Sequence, residues 1–523
     1  MAEHLQPTTT WVMTWREWSA VLGGALAAFM AILDIQITNA SLREIQGSLG
    51  LDLLEGSWIS TAYLIAEIVV IPITGVFSEV IGIRKFISIN TVMFIVSSIL
   101  CGLAWNLNSM IVFRVMQGFF GGTLIPMAFQ MVLYYMPSNM RTIGMVIFGL
   151  TATLAPTLGP SFGGWLTDNY GWRTNFFINL GPGLIMLAMI RAGVPKGTMD
   201  LGRLKNFDWL GTFTMAIGLA TLTYVLEDGS RVQWFEDESI QICSLVAFGS
   251  LTAFLLTQIV SENPLLKLRV LLDRNFSIAV VITTISGAAL YGGIYSLSLF
   301  LGQLQNYSAT DIGAVMMWIG LPQILVMPLL PLMMKYVDMR ILAAIGIGLF
   351  SLSNFLNSGL DYNFAGEQLK FSLLVRAIGQ PMFMIPLSII AMNMVKPEHS
   401  ADASSIFNMM RNMGGSIGIA LAGTFMVSRQ SLHQGHMMEQ VHMNNTSIVE
   451  RLYQFEMFLR SKGLDVTAAK TGALKFILGI VQRDSYILAF SDIFFTLGSG
   501  LLICVVLVLL TRKTQFKEGG LAE

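Results

Sequence analysis

Apolar runs of about twenty residues recur about fourteen times along this chain, each bounded by charged or turn-forming residues. At about 1.5 Å of rise per residue, a helical run of that length matches the hydrocarbon core of a bilayer. In that solvent every backbone N–H and C=O must be satisfied within the chain, so only helices or a closed barrel can cross. Continuous apolar runs, as opposed to alternating ones, select the helix. With 54% hydrophobic and 12% charged residues among 523, the chain is far from a soluble composition. The expected fold is an all-α integral membrane protein. Its spans are predicted near 18–38, 56–78, 85–105, 108–130, 141–164, 173–193, 208–227, 238–259, 276–301, 311–334, 339–357, 369–395, 402–428 and 488–511.

An even number of spans puts both termini on one side. One set of connections holds Arg16, Arg84, Lys85, Arg141, Lys196, Arg203, Lys205, Lys267, Arg269, Arg274, Lys335, Arg340, Lys396, Arg512 and Lys513. The short connections opposite hold little beyond Arg43, Arg173, Arg231 and Lys370. The positive-inside rule makes the first set cytoplasmic, together with the ends 1–17 and 512–523. The polar stretch Met1 to Thr10 leads straight into the first span, without the layout of a cleaved signal. A formal net charge of −1 offers nothing to nucleic acid. Cys101, Cys243 and Cys504 lie in apolar runs and predict neither a disulfide framework nor a zinc site.

Between the last two spans, 429–487 is polar and is expected as a long periplasmic loop, exempt from the charge rule. The irregular spacing of His433, His436 and His442 reads as solvated side chains and not as a metal site. Ile448 to Leu459 looks helical. The Asn-Asn-Thr-Ser run at 444–447 contains sequons that matter only in a secretory pathway.

Ionisable side chains inside a span are costly and therefore mark function. Asp34 falls near the outer end of the first span, Glu67 about halfway through the second and Arg114 early in the fourth. Arg376 is early in the twelfth and Arg411 about a third of the way into the thirteenth. Counted from the span ends, Asp34 and Arg114 differ in depth by only a few Å, so they can pair, with Glu67 deeper. A carboxyl group in a low-dielectric cavity favours its neutral form, whereas a nearby arginine or a cationic cargo favours the charged one. Proton and cargo can then compete for one acid, the minimum chemistry of an antiporter. A structural pair that fixes helix register is the other reading of Asp34 and Arg114.

The fourth and twelfth spans echo each other: Arg114, Gln117 and Pro126 in one, Arg376, Gln380 and Pro386 in the other. A fainter echo links Gly75, Glu79, Gly82 and Arg84 after the second span to Asp338 and Arg340 after the tenth. Repeated halves around a central site are a common transporter plan. The expected division is a six-helix bundle at 18–193, an inserted pair of helices at 208–259 and a second six-helix bundle at 276–511. Gln117, Arg376, Gln380 and Arg411 are candidates for the substrate cavity. With no P-loop or HExxH in the chain, neither an enzyme nor nucleotide-driven transport is expected. Energy would come from an ion gradient, such as a proton gradient, or from the cargo's own gradient, with no cofactor or metal.

The fifth span carries Pro156, Gly159, Pro160, Gly163 and Gly164. Each proline removes a backbone donor and bends the helix. Gly159 and Gly163, four residues apart, allow two helix backbones to approach closely in lipid. The segment reads as a hinge or gate, or else as a rigid packing seam.

These residues together resemble the major facilitator superfamily, and within it the fourteen-helix drug:proton antiporters of the EmrB/QacA type. The likeness runs over nearly the whole chain. Leu33-Asp34-Ile35 with Thr38-Asn39-Ala40 resembles the family's first-span motif, and Gly75 to Lys85 its loop between spans two and three, with Glu79 where an aspartate is usual. Arg114 with Gln117-Gly118 is similar to the fourth-span motif, and Pro156 to Gly164 to the antiporter motif of the fifth. Gly171-Trp172-Arg173, Phe176-Phe177-Ile178-Asn179 and Pro182-Gly183 resemble the entry to span six. Asn263-Pro264-Leu265, Arg274-Asn275-Phe276, Asp338-Met339-Arg340 and Gly415-Ser416-Ile417-Gly418 read most like EmrB.

The resemblance implies the two-bundle major facilitator fold with pseudo-two-fold symmetry and two extra helices. It also implies proton coupling through Asp34, Glu67 and Arg114, and a cytoplasmic gate at Gly75, Glu79, Gly82 and Arg84. The expected function is multidrug efflux of hydrophobic or amphipathic compounds across a bacterial inner membrane. An EmrA-like periplasmic adaptor and a TolC-like outer-membrane channel are the implied partners. Three alternatives stand beside it: an exporter of one endogenous product such as a siderophore or fatty acid, a proton-coupled importer, and a receptor that transports nothing.

Overall fold

Helix after helix in this chain begins at an aspartate. Asp208, Asp237, Asp273, Asp338 and Asp465 each accept a backbone N–H from the first turn of the helix that follows. Those donors have no partner within a helix, and a carboxylate there also suits the helix dipole. The computed structural model describes residues 13–51, 53–137, 140–202, 207–229, 232–261, 264–392, 395, 400–441 and 445–513. Met1 to Thr10, Arg203, Lys205, Arg231, Asn263, Lys396, His442 and Asn444 lie outside the described residues, as does the tail from 514.

The N-terminal bundle consists of α1 (Trp15–Ala40), α2 (Leu53–Ile81), α3 (Ile83–Gly102), α4 (Leu107–Tyr135), α5 (Arg141–Tyr170) and α6 (Leu180–Gly193). Helices α7 (Trp209–Asp228) and α8 (Glu238–Val260) pair with each other, and α7 leans on α2. The C-terminal bundle holds α9 (Arg274–Leu299), α10 (Thr310–Tyr336), α11 (Met339–Asn357), α12 (Gly366–Met392) and α13 (Ser400–Glu439). It is completed, after α14 (Thr446–Ser461), by α15 (Val466–Leu509).

Among the described residues twelve helices are long and apolar enough to cross a membrane, and α5, counted across its bend, makes thirteen. The remaining expected span lies in α13, where Asp402, Asn408, Arg411 and Asn412 dilute the apolar run. This helix packs inside the protein along α9 and α15. Fourteen spans are consistent with that arrangement.

The stretch 429–487 departs from expectation. Instead of a loop it is mostly helix: α13 continues to Glu439, α15 starts at Val466, and α14 fills the interval, as the pattern at Ile448 to Leu459 suggests. Its polarity reflects a solvated helix surface. His433 is also more than a solvated side chain, since its Nε2 lies 2.9 Å from Asp492 on α15, with Arg429 at 3.6 Å.

Two glycine features set the geometry around the site. Gly82, with φ of +87°, makes the sharp turn from α2 into α3 that a side chain would strain. In α5, Gly159 and Gly163 lie flush against Gln36 and Ile37 of α1, so that a Cβ on Gly163 would stand 2.8 Å from the Ile37 Cα. The same helix bends by 44° between Ile143–Pro156 and Leu158–Tyr170. Seam and bend therefore coexist in α5, which also touches the other bundle where Asp168 accepts from Thr310 at 2.8 Å.

Candidate functional site

Asp34 and Arg114 do meet. Their ion pair is 2.8 Å long, with the two side chains 1% and 0% exposed. The Asp34 carboxylate also accepts from Gln117 at 2.9 Å and from Asn179, at the head of α6, at 2.5 Å. Arg114 donates in addition to the Gln117 carbonyl at 2.8 Å and to the Ile59 backbone at 3.0 Å, and its guanidinium lies 4.5 Å from the Tyr63 ring centre. Asn179 is itself held by Ser98. A buried ion pair is tolerable only when its remaining lone pairs and protons are satisfied. Here three donors from α4 and α6 converge on the carboxylate and lock the acid in place, while Nη2 of Arg114 is buried without a hydrogen-bond partner among the described residues.

Glu67 is wired differently. It is 2% exposed, and its one hydrogen bond among the described residues is from Asn412 of α13, at 3.1 Å. That bond joins the two bundles. The other carboxyl oxygen, Oε2, is buried without a partner. It borders a cavity of about 60 Å³, lined by Gln36, Asn39, Tyr291, Asn412 and Ser416 among others. Such a space holds a few waters with several polar groups to bind them. Arg411, one residue before Asn412, is near enough to Glu67 to act on its charge. Close approach of α4 positions both acids' neighbours: a Cβ on Gly118 would stand 2.9 Å from the Tyr63 Cα, and one on Gly122 2.8 Å from the Glu67 Cα.

Of the four residues expected in a substrate cavity, Arg411 lines one. It closes a central space of about 30 Å³ between the bundles, together with Met145, Phe148, Leu290, Phe383 and Phe407. Gln117 belongs instead to the Asp34 cluster. Arg376, the echo of Arg114, is buried beneath the Leu290 carbonyl at 3.1 Å and over the Phe350 ring at 5.0 Å. Gln380 turns to the Met384 sulfur, 3.9 Å away. The echo thus repeats the cation but not its carboxylate, because α9 offers a backbone carbonyl where α1 offers Asp34. At the basic end, Gly75 accepts from Ser78 at 2.7 Å, and the segment after α6 is pinned by Asp200 donating to the Val80 carbonyl at 2.9 Å. Glu79 and Arg84 flank Gly82 in this turn.

Reading the sequence for charges passes over Asn179, Asn412, Tyr63 and Tyr291, which complete the two acid environments. Asn179 had a signal, as the polar residue closing the Phe176-Phe177-Ile178 stretch. Asn412 had only its place beside Arg411.

The profile of the Major Facilitator Superfamily matches residues 24–419. The chain belongs to that superfamily. Among its relatives, the colistin resistance protein EmrB of Acinetobacter baumannii is 33% identical over 96% of each chain. The multidrug export protein EmrB of Escherichia coli K12 is 27% identical over 95% of each. The fatty acid resistance protein FarB of Neisseria gonorrhoeae is 27% identical over 95% of this chain and 96% of its own. The major facilitator fold recurs in the crystal structure of the human organic anion transporter MFSD10, with a TM-score of 0.57 at 13% identity, over 94% of this chain and 99% of that one. The superfamily match and the EmrB likeness make this a multi-pass transporter.

Proposed function

We propose that this protein is a proton-driven exporter of hydrophobic and amphipathic compounds. In this reading its basic face and both termini are in the cytoplasm of a bacterial cell, and it is the inner-membrane pump working with an EmrA-like adaptor and a TolC-like channel. The EmrB relatives, two of them named for drug export or resistance, support the cargo class. The observation that carries the coupling is the contrast between the two buried acids. Asp34 is saturated by Arg114, Gln117 and Asn179. Glu67 has one free oxygen facing a water-sized cavity and holds the opposite bundle through Asn412.

In this mechanism Glu67 exchanges the proton. Ionised, it accepts from Asn412 and is balanced by Arg411. Protonated, it loses most of its attraction for both, and the link between α2 and α13 weakens. The bundles then separate around the bend in α5. Drug-sized sites are about 300–1,000 Å³, so the central space of about 30 Å³ must widen before cargo enters, and this structure represents a closed arrangement. Asp34 with Arg114 holds α1, α4 and α6 as one body while the rest moves.

Inverted membrane vesicles test the reading. Adding a cationic amphipathic drug to energised vesicles should release protons from the lumen in the wild type. Glu67→Gln should abolish that release while the protein remains folded in the membrane. Proton release equal to wild type in the Gln variant would remove Glu67 from the mechanism. The FarB likeness supports a second reading, export of one fatty-acid-like product, for which tolerance to a panel of unrelated drugs would be unaffected by deleting the gene.

A further inference from the structure

We propose that a cavity between α7 and the N-terminal bundle holds an acyl chain of a membrane phospholipid. Helices α2, α3, α4 and α7 surround a space of about 330 Å³. It is separate from the central space that Arg411 closes and from the water-sized one beside Glu67. Its walls are aromatic, with Phe77 of α2, Phe120 of α4 and Phe213 of α7 among them. Phe207 packs edge-on beside it against Phe77 and Trp209, with ring centres 5.6 and 4.9 Å apart. Thr74, Asn90, Thr123 and Thr212 also line the space. Each of the four donates to a backbone carbonyl three or four residues before it, at 2.7–3.0 Å. Walls whose donors are spent on their own helices give water little to hold and suit an apolar ligand.

Depth, opening and size select that ligand. On α2 the lining runs from Val70 to Ile81, the last residue of the helix at the basic end. At 1.5 Å per residue this is about 16 Å, the depth of one leaflet in a hydrocarbon core of about 30 Å. The cavity is continuous with the apolar surface that the spans turn outward: Ile89, Phe119 and Phe213 line it and are 52%, 42% and 61% exposed. At that depth the medium it opens to is lipid. A partner's helix does not fit, since one turn about 10 Å wide and 5.4 Å tall takes roughly 400 Å³ or more. An acyl chain does: with a methylene taken as about the size of a water, roughly 30 Å³, the space holds about ten carbons. The helix ends around the mouth carry both signs of charge, among them Glu79, Arg84, Lys85 and Asp208. Recognition is therefore of the chain and not of a charged headgroup. Once bound, the chain completes the seat of α7 on α2.

The test maps a phospholipid that carries a diazirine midway along one acyl chain. The full-length protein is equilibrated with it in vesicles, extracted and washed in detergent to strip loosely held lipid, irradiated, and mapped by mass. The expected labels are at Phe77 and Phe120, with none at Phe248 of α8, a residue 74% exposed. Labelling at Phe77 and Phe120 no stronger than at Phe248 would overturn the proposal. Two variants fill the space from opposite walls, Thr212→Phe from α7 and Thr74→Leu from α2. Each, if it elutes as a folded protein like the wild type, should lose the label at both phenylalanines; wild-type labelling in folded variants contradicts the assignment. A saturating hydrophobic drug, added during the wash, should leave the wild-type label in place. Its displacement would make the cavity a cargo site and sink the lipid reading. The wild-type map judges the proposal even where neither variant folds.

Discussion

Replacing Gly163 by alanine tests whether α5 and α1 move as a matched pair. The added Cβ would stand 2.8 Å from the Ile37 Cα and 3.0 Å from the Ile37 carbonyl oxygen. Ordinary carbon–carbon contact is about 3.5–4.0 Å, so the helices must part by roughly 0.7 Å or more. Both close atoms are backbone, so no side chain can swing aside. Overpacking of this kind costs about 1–3 kcal/mol. Functionally the cost is larger, because Asp34 is on the same helix, one turn from Ile37. Its bonds to Arg114 and Gln117 are 2.8 and 2.9 Å long, and a displacement of about 0.7 Å takes them to the limit of a hydrogen bond. Gly163→Ala should therefore lower the melting temperature and reduce drug–proton exchange severely. Gly249→Ala in α8 is the control, since nothing lies within 4 Å of its Cβ position. If Gly163→Ala matches that control in both thermal melting and exchange in liposomes, the seam is loose and the argument fails.

Two further outcomes follow from the charges. Arg114→Met leaves Asp34 buried without its cation and should cost about 3–5 kcal/mol; adding Asp34→Asn should recover most of that stability but no transport. Thermal denaturation of the single and double variants reads the coupling, and simple additivity would contradict a buried pair. At the basic end, hydrogen bonds from Arg340 hold the Asp338 carboxyl below its ordinary range. A depressed carboxyl stabilises the fold above the unfolded value of about 3.9 and loses that contribution as pH falls through the folded value. Asp338→Asn should consequently flatten the melting temperature against pH below about pH 4 and leave its slope above pH 5 unchanged.

The helices themselves were legible in the chain. Apolar runs of bilayer length are local signals, and they place the ends of α1 to α12 within about seven residues of where they stand, the largest gaps being at the start of α6 and the end of α5. The family likeness carried by Asp34, Arg114 and the Pro156–Gly164 segment was legible for a related reason, since each motif lies within one helix and needs no partner to be read. Depth along a span even anticipated the Asp34–Arg114 pair, because helical rise converts residue counts into distance.

Tertiary structure decided what depth cannot. Rotation about each helix axis, not height, puts Asn179 on Asp34 and Asn412 on Glu67, and that rotation follows from packing between helices far apart in the chain. The same holds for Arg376, whose sequence echo of Arg114 is strong but whose facing helix supplies a carbonyl and no acid. Polarity in 429–487 suggested a loop, since composition records contact with water but not the order of the backbone beneath. And the glycines of α5 could be read as seam or hinge until α1 was seen against them: the small residues close the gap to Gln36 and Ile37, while the bend at Pro156 lies a turn away.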